Sequence, residues 1–460
     1  EYQDIFEFPY FNIIQSMVFD DIHILNDSNR GATVEAVLSR MKTLIISDKN
    51  SDKIPMRFVA VSATIPNIQD LAEWLGRSNV PALSYKLEEK YRPVKLQKIV
   101  LGYHHKEGES EFKFDINLNY KLKNIIDTYS NGRPTLVFDS TATAVIMTKT
   151  SSKSKYESVV NGTQTIESSL HKNLIEHLNA EIVLHTITDM GLAVEWIRHT
   201  FLYVRIMKNP SHYELCLKSI NSLAALNLVK LNEETLEIES TETGRLMARY
   251  CIAFDTMTKF HDIKGDENIE QLLTITTTCQ EFQDVTLRQT EKTALNQLNK
   301  DKQKECIRYP MQGKIKNKQM KVNCLVQASF GCLPIHDYSL TNDVTKIFRV
   351  GQRVVKCLFE FLWQRKEYKA LVSAIQLSKC FKQRLWEDSK YVTKQLEKIG
   401  TTISLALATA GLTTFHKLSQ TNPREIELIA NRHPPFGNQV KEAVASLPKY
   451  QLAIEQVIQQ

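Results

Sequence analysis

The residues best placed to do chemistry in this chain are cationic and fall at helical spacing. Arg349, Arg353 and Lys356 stand at i, i+4 and i+7 within an expected helix Asp343–Leu362, while Val344, Ile347, Phe348, Val354, Val355 and Leu358 share another face. Such a row can follow a phosphate backbone, and it can equally do no more than solvate an exposed surface. Farther along, Gly411 can offer backbone N–H groups to a phosphate with Lys417 and Arg424 nearby, or it can belong to a plain helical linker. Ser62 and Thr64 lie in AVSATIPN at the end of an apolar strand, about forty residues after Asp20-Asp21 in DDIHILNDSNRG. On those residues alone, the two hydroxyls can simply cap the helix that begins at Asn67.

Other chemistries find no constellation. The eight cysteines stand singly, with no Cys-x2-Cys spacing to gather four ligands, so we expect free thiols in a reducing compartment and no zinc site. His23, His171 and His177 lack acidic or thiol neighbours that would complete a metal site, and they are read as structural. A phosphate-cradling loop of the form Gly-x4-Gly-Lys-Ser/Thr does not occur in the 460 residues.

These residues must be carried by several domains, because 460 residues with 42% hydrophobic and 24% charged composition suit roughly three or four separate cores. No apolar run approaches the roughly 20 residues that span a bilayer, so no membrane partner is expected. EYQDIFEFPYF lacks the basic start and apolar core of a secretory signal, so export is not expected either. A net charge of +6 permits a nucleic-acid partner without demanding one.

Along the chain, residues 1 to about 98 alternate short apolar runs with amphipathic stretches, as a parallel α/β domain does, and RFVAVSA reads as a strand buried on both faces. Arg92-Pro93 is an extended joint. RPTLVF (133–138) then reads as the opening strand of a second α/β domain, with TAVIMT following too closely for a crossover helix between them. From Thr165 to about Phe254 the pattern is helical and closes on two short alternating runs around a polar turn, which predicts a winged helix. Helices follow to about residue 390, interrupted by RYPMQGKIKNKQ. The last segment, with Gly400 and Gly411 at helix ends, predicts a helix-hairpin-helix.

FPYFNIIQ, SNRGATVEAVLSRMKT, PMRFVAVSATIPNIQDLAEWL, YRPVKLQKIVLGY, SSLHKNLIEHLNAEIVLHTITD and GLTTF, in this order, resemble the DNA helicases of meiotic crossover formation, a superfamily-two family with an Asp-Glu-x-His box. The resemblance covers nearly the whole chain. It implies an α/β plus all-α fold: an incomplete first RecA-like motor domain (1–92), a remnant of the second (93–155), a winged helix (156–255), a helical bundle of the ratchet type (256–390) and a helix-hairpin-helix module (391–460). It implies a nuclear ATP-dependent helicase acting on single-stranded or branched DNA with ATP and Mg as cofactors. Gln15 would read the adenine, Asp20 would hold Mg through water, Asp21 and His23 would complete the acidic box, and Ser62 and Thr64 would couple the nucleotide to movement of the second motor domain.

The same resemblance exposes departures. Asp21 is one methylene shorter than the family's glutamate, and SMVFDD resembles the segment after Gln15 rather than the strand carrying the acidic box. The phosphate loop would fall between these two regions, where VFDD passes directly to IHIL. At Phe138-Asp139 the Gln-x2-Gly-Arg-x-Gly-Arg motif that would stabilise phosphoryl charge is missing, and the pairs Gly132-Arg133 and Gly244-Arg245 lack its glutamine. A smaller jump lies at SHYELCLK. On the ratchet helix the stacking aromatic of the family falls at Cys357. Skipped coding segments explain three such joins more simply than substitution does. The expectations are a helicase of impaired activity or, from another class, a non-catalytic DNA-binding module, with a motor remnant that packs imperfectly or borrows a partner.

Overall fold

The computed structural model describes residues 16–27, 30–47, 56–63, 65–77, 80–87, 91, 97–105, 111–130, 143–163, 165–208, 215–232, 234–300, 306–448, 450 and 453. Gln15, Thr64 and the RPTLVF segment lie outside them. The chain divides into two compact units, one of residues 1–225 and 229–240 and one of 226–228 and 241–460.

In the first unit β1 (Ser16–Phe19) pairs in parallel with β2 (Arg57–Ala60) across helix α1 (Gly31–Ser47), and α2 (Ile68–Leu75) follows. A second parallel pair joins β3 (Gln97–Tyr103) to β4 (Thr143–Lys149), with α3 (Glu111–Tyr129) between them. TAVIMT is therefore paired with a strand well upstream, and α3 supplies the crossover that a parallel connection requires. Among the described residues each sheet has two strands, and the exposure of Val59 and Val61 overturns the expectation that RFVAVSA is buried on both faces. Burial alternates along β1 and β2, and Val18, Val59 and Val61 stand exposed, Val18 by 63%. Two strands with one crossover helix cover one face of a sheet; the other has nothing among the described residues to lie against.

The remnant finds its core elsewhere. After α4 (Lys153–Val160) come the winged-helix elements α5 (Leu174–Val183), α6 (Met190–Arg198), α7 (Phe201–Lys208) and α8 (Leu215–Ala225), then the wing β5 (Val229–Leu231) and β6 (Ile238–Ser240) in antiparallel register. Ile22, Leu38, Leu71 and Trp74 bury themselves together with Ile166, Phe201 and Val204. Polar contacts fix the orientation. Trp74 Nε1 donates to the His199 carbonyl at 2.8 Å, Arg40 binds Glu181 through two nitrogens, and Asn67 exchanges hydrogen bonds with the backbone of Ile166 in both directions. Arg205 bridges Asp70 and Glu167. The fully buried Glu35 accepts from Ser168 Oγ at 2.6 Å and from the Leu202 N–H at 2.7 Å, yet burial still pushes its carboxyl up to about 7.

The second unit is helical: α9 (Glu242–Arg249), α10 (Phe254–His261), α11 (Ile269–Thr277), α12 (Lys292–Asn299), α13 (Lys318–Phe330), α14 (Tyr338–Arg365), α15 (Tyr368–Gln383), α16 (Thr401–Thr409), α17 (Phe415–Gln420), α18 (Pro423–Ala430) and α19 (Phe436–Ala445). Several starts carry side-chain caps: Thr241, Asn268, Asn317 and Asp337 each accept an N–H of the following turn. Phe330, Phe348, Phe381 and Trp386 interlock edge to face, and the helices from α16 onward close over their own cluster of Leu407, Leu418, Ile426 and Val440.

Candidate nucleic-acid interface and the remnant of the nucleotide site

The acidic pair sits where β1 runs out. Asp21 turns the chain in the left-handed region (φ 56°), its N–H held by Asp20 Oδ1 at 3.0 Å, and Ile22–Asn26 follow as a short 3-10 helix. Parallel pairing brings the end of β2 alongside: Val61 N–H donates to Phe19 at 2.8 Å, Ile22 N–H donates to Val61 at 3.0 Å, and Ser62 Oγ lies 3.4 Å from His23 Nδ1. His23 is also 3.7 Å from Asp21. The structure thus gathers Asp20, Asp21, His23 and Ser62 at one sheet end. All four side chains face water or are only half-buried, and no described cluster of three His, Cys, Asp or Glu is set to hold a metal ion. Two exposed carboxylates without a lysine-bearing loop do not fit a magnesium triphosphate, whose charge needs backbone N–H groups and cations around it.

The cation row is built on a firmer base. Asp337 caps the start of α14. Below its first turns the fully buried Lys321 places Nζ 2.6 Å from Glu291, 2.6 Å from Asp343 and 2.8 Å from the Thr286 carbonyl, so its charge and its protons are satisfied together. Burial would raise the Glu291 carboxyl, but Lys321, Arg288 and Ser339 hold it below the usual carboxylate range. Midway along α14, Gly351 allows the Phe381 ring of α15 to approach so closely that a Cβ would sit 2.4 Å from it. Gln352 donates to the Phe381 carbonyl at 3.3 Å, and the Arg384 guanidinium lies over the Phe348 ring at 4.8 Å.

On this base Lys346, Arg349, Arg353 and Lys356 all point to solvent, and the six apolar residues assigned to the inner face are all buried. Residues 346–398, spanning most of α14 and all of α15, hold 13 Lys and Arg against 5 Asp and Glu, a net +8, whereas the whole chain carries only +6. The positive field is therefore concentrated on this part of the helical unit, which composition alone hides.

Cys357, the position at which the stacking aromatic is expected, offers no face to a base. It is fully buried in the core, where its thiol is pushed up, because the inner face of α14 is wide enough to include it. Seven residues beyond Lys356, two turns on, Trp363 is 64% exposed with Phe359 packed obliquely beside it at 6.4 Å. The sequence analysis does not single this residue out, although a count from the cations in steps of seven reaches it. Lys356 lies over the Tyr250 ring at 5.8 Å, and the neighbouring Glu360 accepts from the Tyr250 hydroxyl and pairs with Arg249 at 3.3 Å. Arg349 and Arg353 have no ion pair among the described residues.

Gly411 is corrected as a phosphate donor. It does occupy the left-handed conformation (φ 87°) just past the end of α16, but its N–H donates to Ala408 at 3.0 Å and the next N–H, of Leu412, donates to Leu407 at 2.9 Å. Those amides complete a helix end. Lys417 Nζ is turned onto the Gly411 carbonyl at 3.2 Å, and Arg424 pairs with Glu427. Of the histidines read as structural, His171 contacts the Ser168 carbonyl, and burial beside Arg40 lowers His177 to about 4.

Comparison with known proteins matches residues 167–243 to a Winged Helix-turn-helix domain and residues 240–460 to the Sec63 Brl domain. The chain is 43% identical to the probable ATP-dependent DNA helicase HFM1 of Xenopus tropicalis over 97% of its own length and 44% of that protein. Against the Homo sapiens protein of the same name it is 41% identical, over 97% of the chain and 41% of the relative. The chain thus spans less than half of the length of these relatives. Both aligned stretches run to 593 residues, 133 more than the 460 present here, so each contains at least that many positions without a counterpart in this chain. The aligned stretch of this chain therefore contains internal gaps relative to these proteins. The chain therefore belongs to the HFM1/MER3 helicase family.

Proposed function

We propose that this chain is a DNA-binding member of the family that keeps a strand-holding surface and lacks a working nucleotide-driven motor. In this reading residues 1–92 and 93–155 are incomplete RecA-like domains, 156–255 the winged helix, 256–390 the helical bundle and 391–460 the hairpin module. Its ligand is single-stranded or branched DNA in nuclear meiotic recombination. Arg349, Arg353 and Lys356 engage successive phosphates, and Trp363 stacks on a base. Lys417, and Gly411 through its carbonyl partner, serve the shape of the hairpin. Asp20, Asp21, His23, Ser62, Thr64 and Gln15 mark where the nucleotide site of the family would stand; its ATP and Mg have no complete cradle in this polypeptide.

The observation that carries this reading is the net +8 of residues 346–398, with Arg349 and Arg353 exposed and without an ion pair among the described residues, and an exposed tryptophan two turns beyond Lys356. A forked DNA with a single-stranded tail, titrated by fluorescence anisotropy at several salt concentrations, tests it. Replacing Arg349 and Arg353 by Gln should make the logarithmic salt dependence shallower by about 1.4, roughly 0.7 per single-strand phosphate released. Trp363→Ala should weaken binding by about 1–3 kcal/mol with no change in that slope. Unchanged binding in both variants would reduce the row to a solvated face. Transcripts read across Asp21/Ile22 and Phe138/Asp139 decide whether the same gene also encodes the 133 unmatched positions.

A further inference from the structure

At one end of the first unit two half-buried cations lie together, and among the described residues neither has a carboxylate partner. Lys42, near the end of α1, donates from Nζ to the Trp74 carbonyl in the last turn of α2. Three residues past Trp74, Arg77 closes a turn with Val80, its N–H donating at 3.0 Å and its carbonyl accepting at 2.8 Å. The Arg77 Nη2 is shut off from water and has no hydrogen-bond partner. A buried guanidinium nitrogen without an acceptor is costly, and it calls for one.

The surroundings do not neutralise this pair. Burial, and after it Arg77, bring the Lys42 ammonium down to about 8. From the turn between α6 and α7, His199 reaches the same region, its Nδ1 3.0 Å from Thr43 Oγ1. Burial and Lys42 hold this imidazole below its ordinary value against the pull of Glu195. Glu195 itself pairs with Arg198 at 3.2 Å and lies 3.7 Å from His199 Nε2. Two desolvated cations side by side repel each other unless an anion joins them.

We propose that Lys42 and Arg77 form an oxyanion site for one phosphate group, where α1 and the end of α2 meet the turn between α6 and α7, with Arg77 Nη2 as the directional donor. A guanidinium fork matches the oxygens of a phosphate, and an ammonium adds a compact point charge. Free phosphate and the backbone of a DNA strand present the same oxygens to it. The site shares no residue with α14, so it and the cation row can each fail alone.

The test uses the full chain, with sulfate as the probe for a free oxyanion and labelled forked DNA as the probe for a strand. Millimolar sulfate, set against chloride at equal ionic strength, should raise the melting temperature by about 2–4 °C. Arg77→Gln should abolish that shift, and Arg77→Lys, which keeps the charge, should retain part of it. In chloride alone Arg77→Gln should melt no lower than the wild-type, because a like charge leaves the side of Lys42. If the phosphate belongs to DNA, Arg77→Gln also makes the logarithmic salt dependence of binding shallower by about 0.7–0.9; if it is free, that slope stays. The proposal is overturned if wild-type and Arg77→Gln respond alike to sulfate and share one DNA slope, which leaves Nη2 to a water molecule. It is equally overturned if Arg77→Gln melts lower in chloride, since the guanidinium would then have its partner within the protein.

Discussion

The first unit and the helical unit bury their apolar residues in different ways. The remnant keeps two parallel pairs of strands, each too narrow to bury both faces, and it leaves Val18, Val59 and Val61 in water. What holds its first part is a borrowed surface: Trp74, Leu71 and Ile22 pack with Phe201 and Val204 of the winged helix. The helical unit retains a continuous core around Phe330, Phe348 and Phe381 and caps its own helices. Parallel sheets draw neighbouring strands from distant parts of a chain, whereas helix pairs are mostly local in sequence. A stretch of chain that lacks some of its strand partners therefore leaves a parallel sheet bare, whereas a helix pair close in sequence still finds its neighbour.

Three substitutions sharpen this contrast. The largest effect is expected from Lys321→Ala, which removes the buried cation between Glu291 and Asp343 and leaves the half-exposed Arg288 as their cationic partner. It should cost about 3–5 kcal/mol in urea unfolding and loosen the start of α14. A cost below about 1 kcal/mol would mean that the network is not what anchors the cation row.

Next comes the pH dependence of the first unit. The folded carboxyl of Glu35 stands near 7, above its ordinary value of 4.5, so its stabilising contribution is complete below about 4.5 and is lost as pH rises through 7. The difference corresponds to about 3 kcal/mol at most. The wild-type should therefore lose stability as pH rises from about 4.5 to about 7, and Glu35→Gln should remove that decline. A profile identical in both proteins would exclude Glu35 as its cause.

The smallest effect should come from Val18→Thr with Val59→Thr. On a bare sheet face each change should lie within about 0.5 kcal/mol, and the double variant should aggregate less. A loss of several kcal/mol would show that this face is covered after all.

Much of this was legible in the sequence, for identifiable reasons. The apolar face of α14 and its cations could be read because a long helix repeats its pattern over several turns. The wing was legible from two alternating runs around a polar turn. That Cys357 is buried and Trp363 exposed could not be read from a spacing carried over from a family, which does not say how far round the helix the core extends. Gly411 was read correctly as a helix end, yet only the structure shows that its N–H is consumed there. RFVAVSA has the composition of a strand buried on both faces; what should cover it belongs to other parts of the chain, which a local pattern does not report.

The account stands or falls on separating nucleotide from DNA. The same purified polypeptide should be titrated with a fluorescent ATP analogue in the presence of Mg and, in parallel, with forked DNA over a range of salt. Salt-sensitive DNA binding that depends on Arg349 and Arg353, with no Mg-dependent nucleotide binding at micromolar concentrations, is the expected result. Micromolar, Mg-dependent ATP affinity in this chain would contradict it.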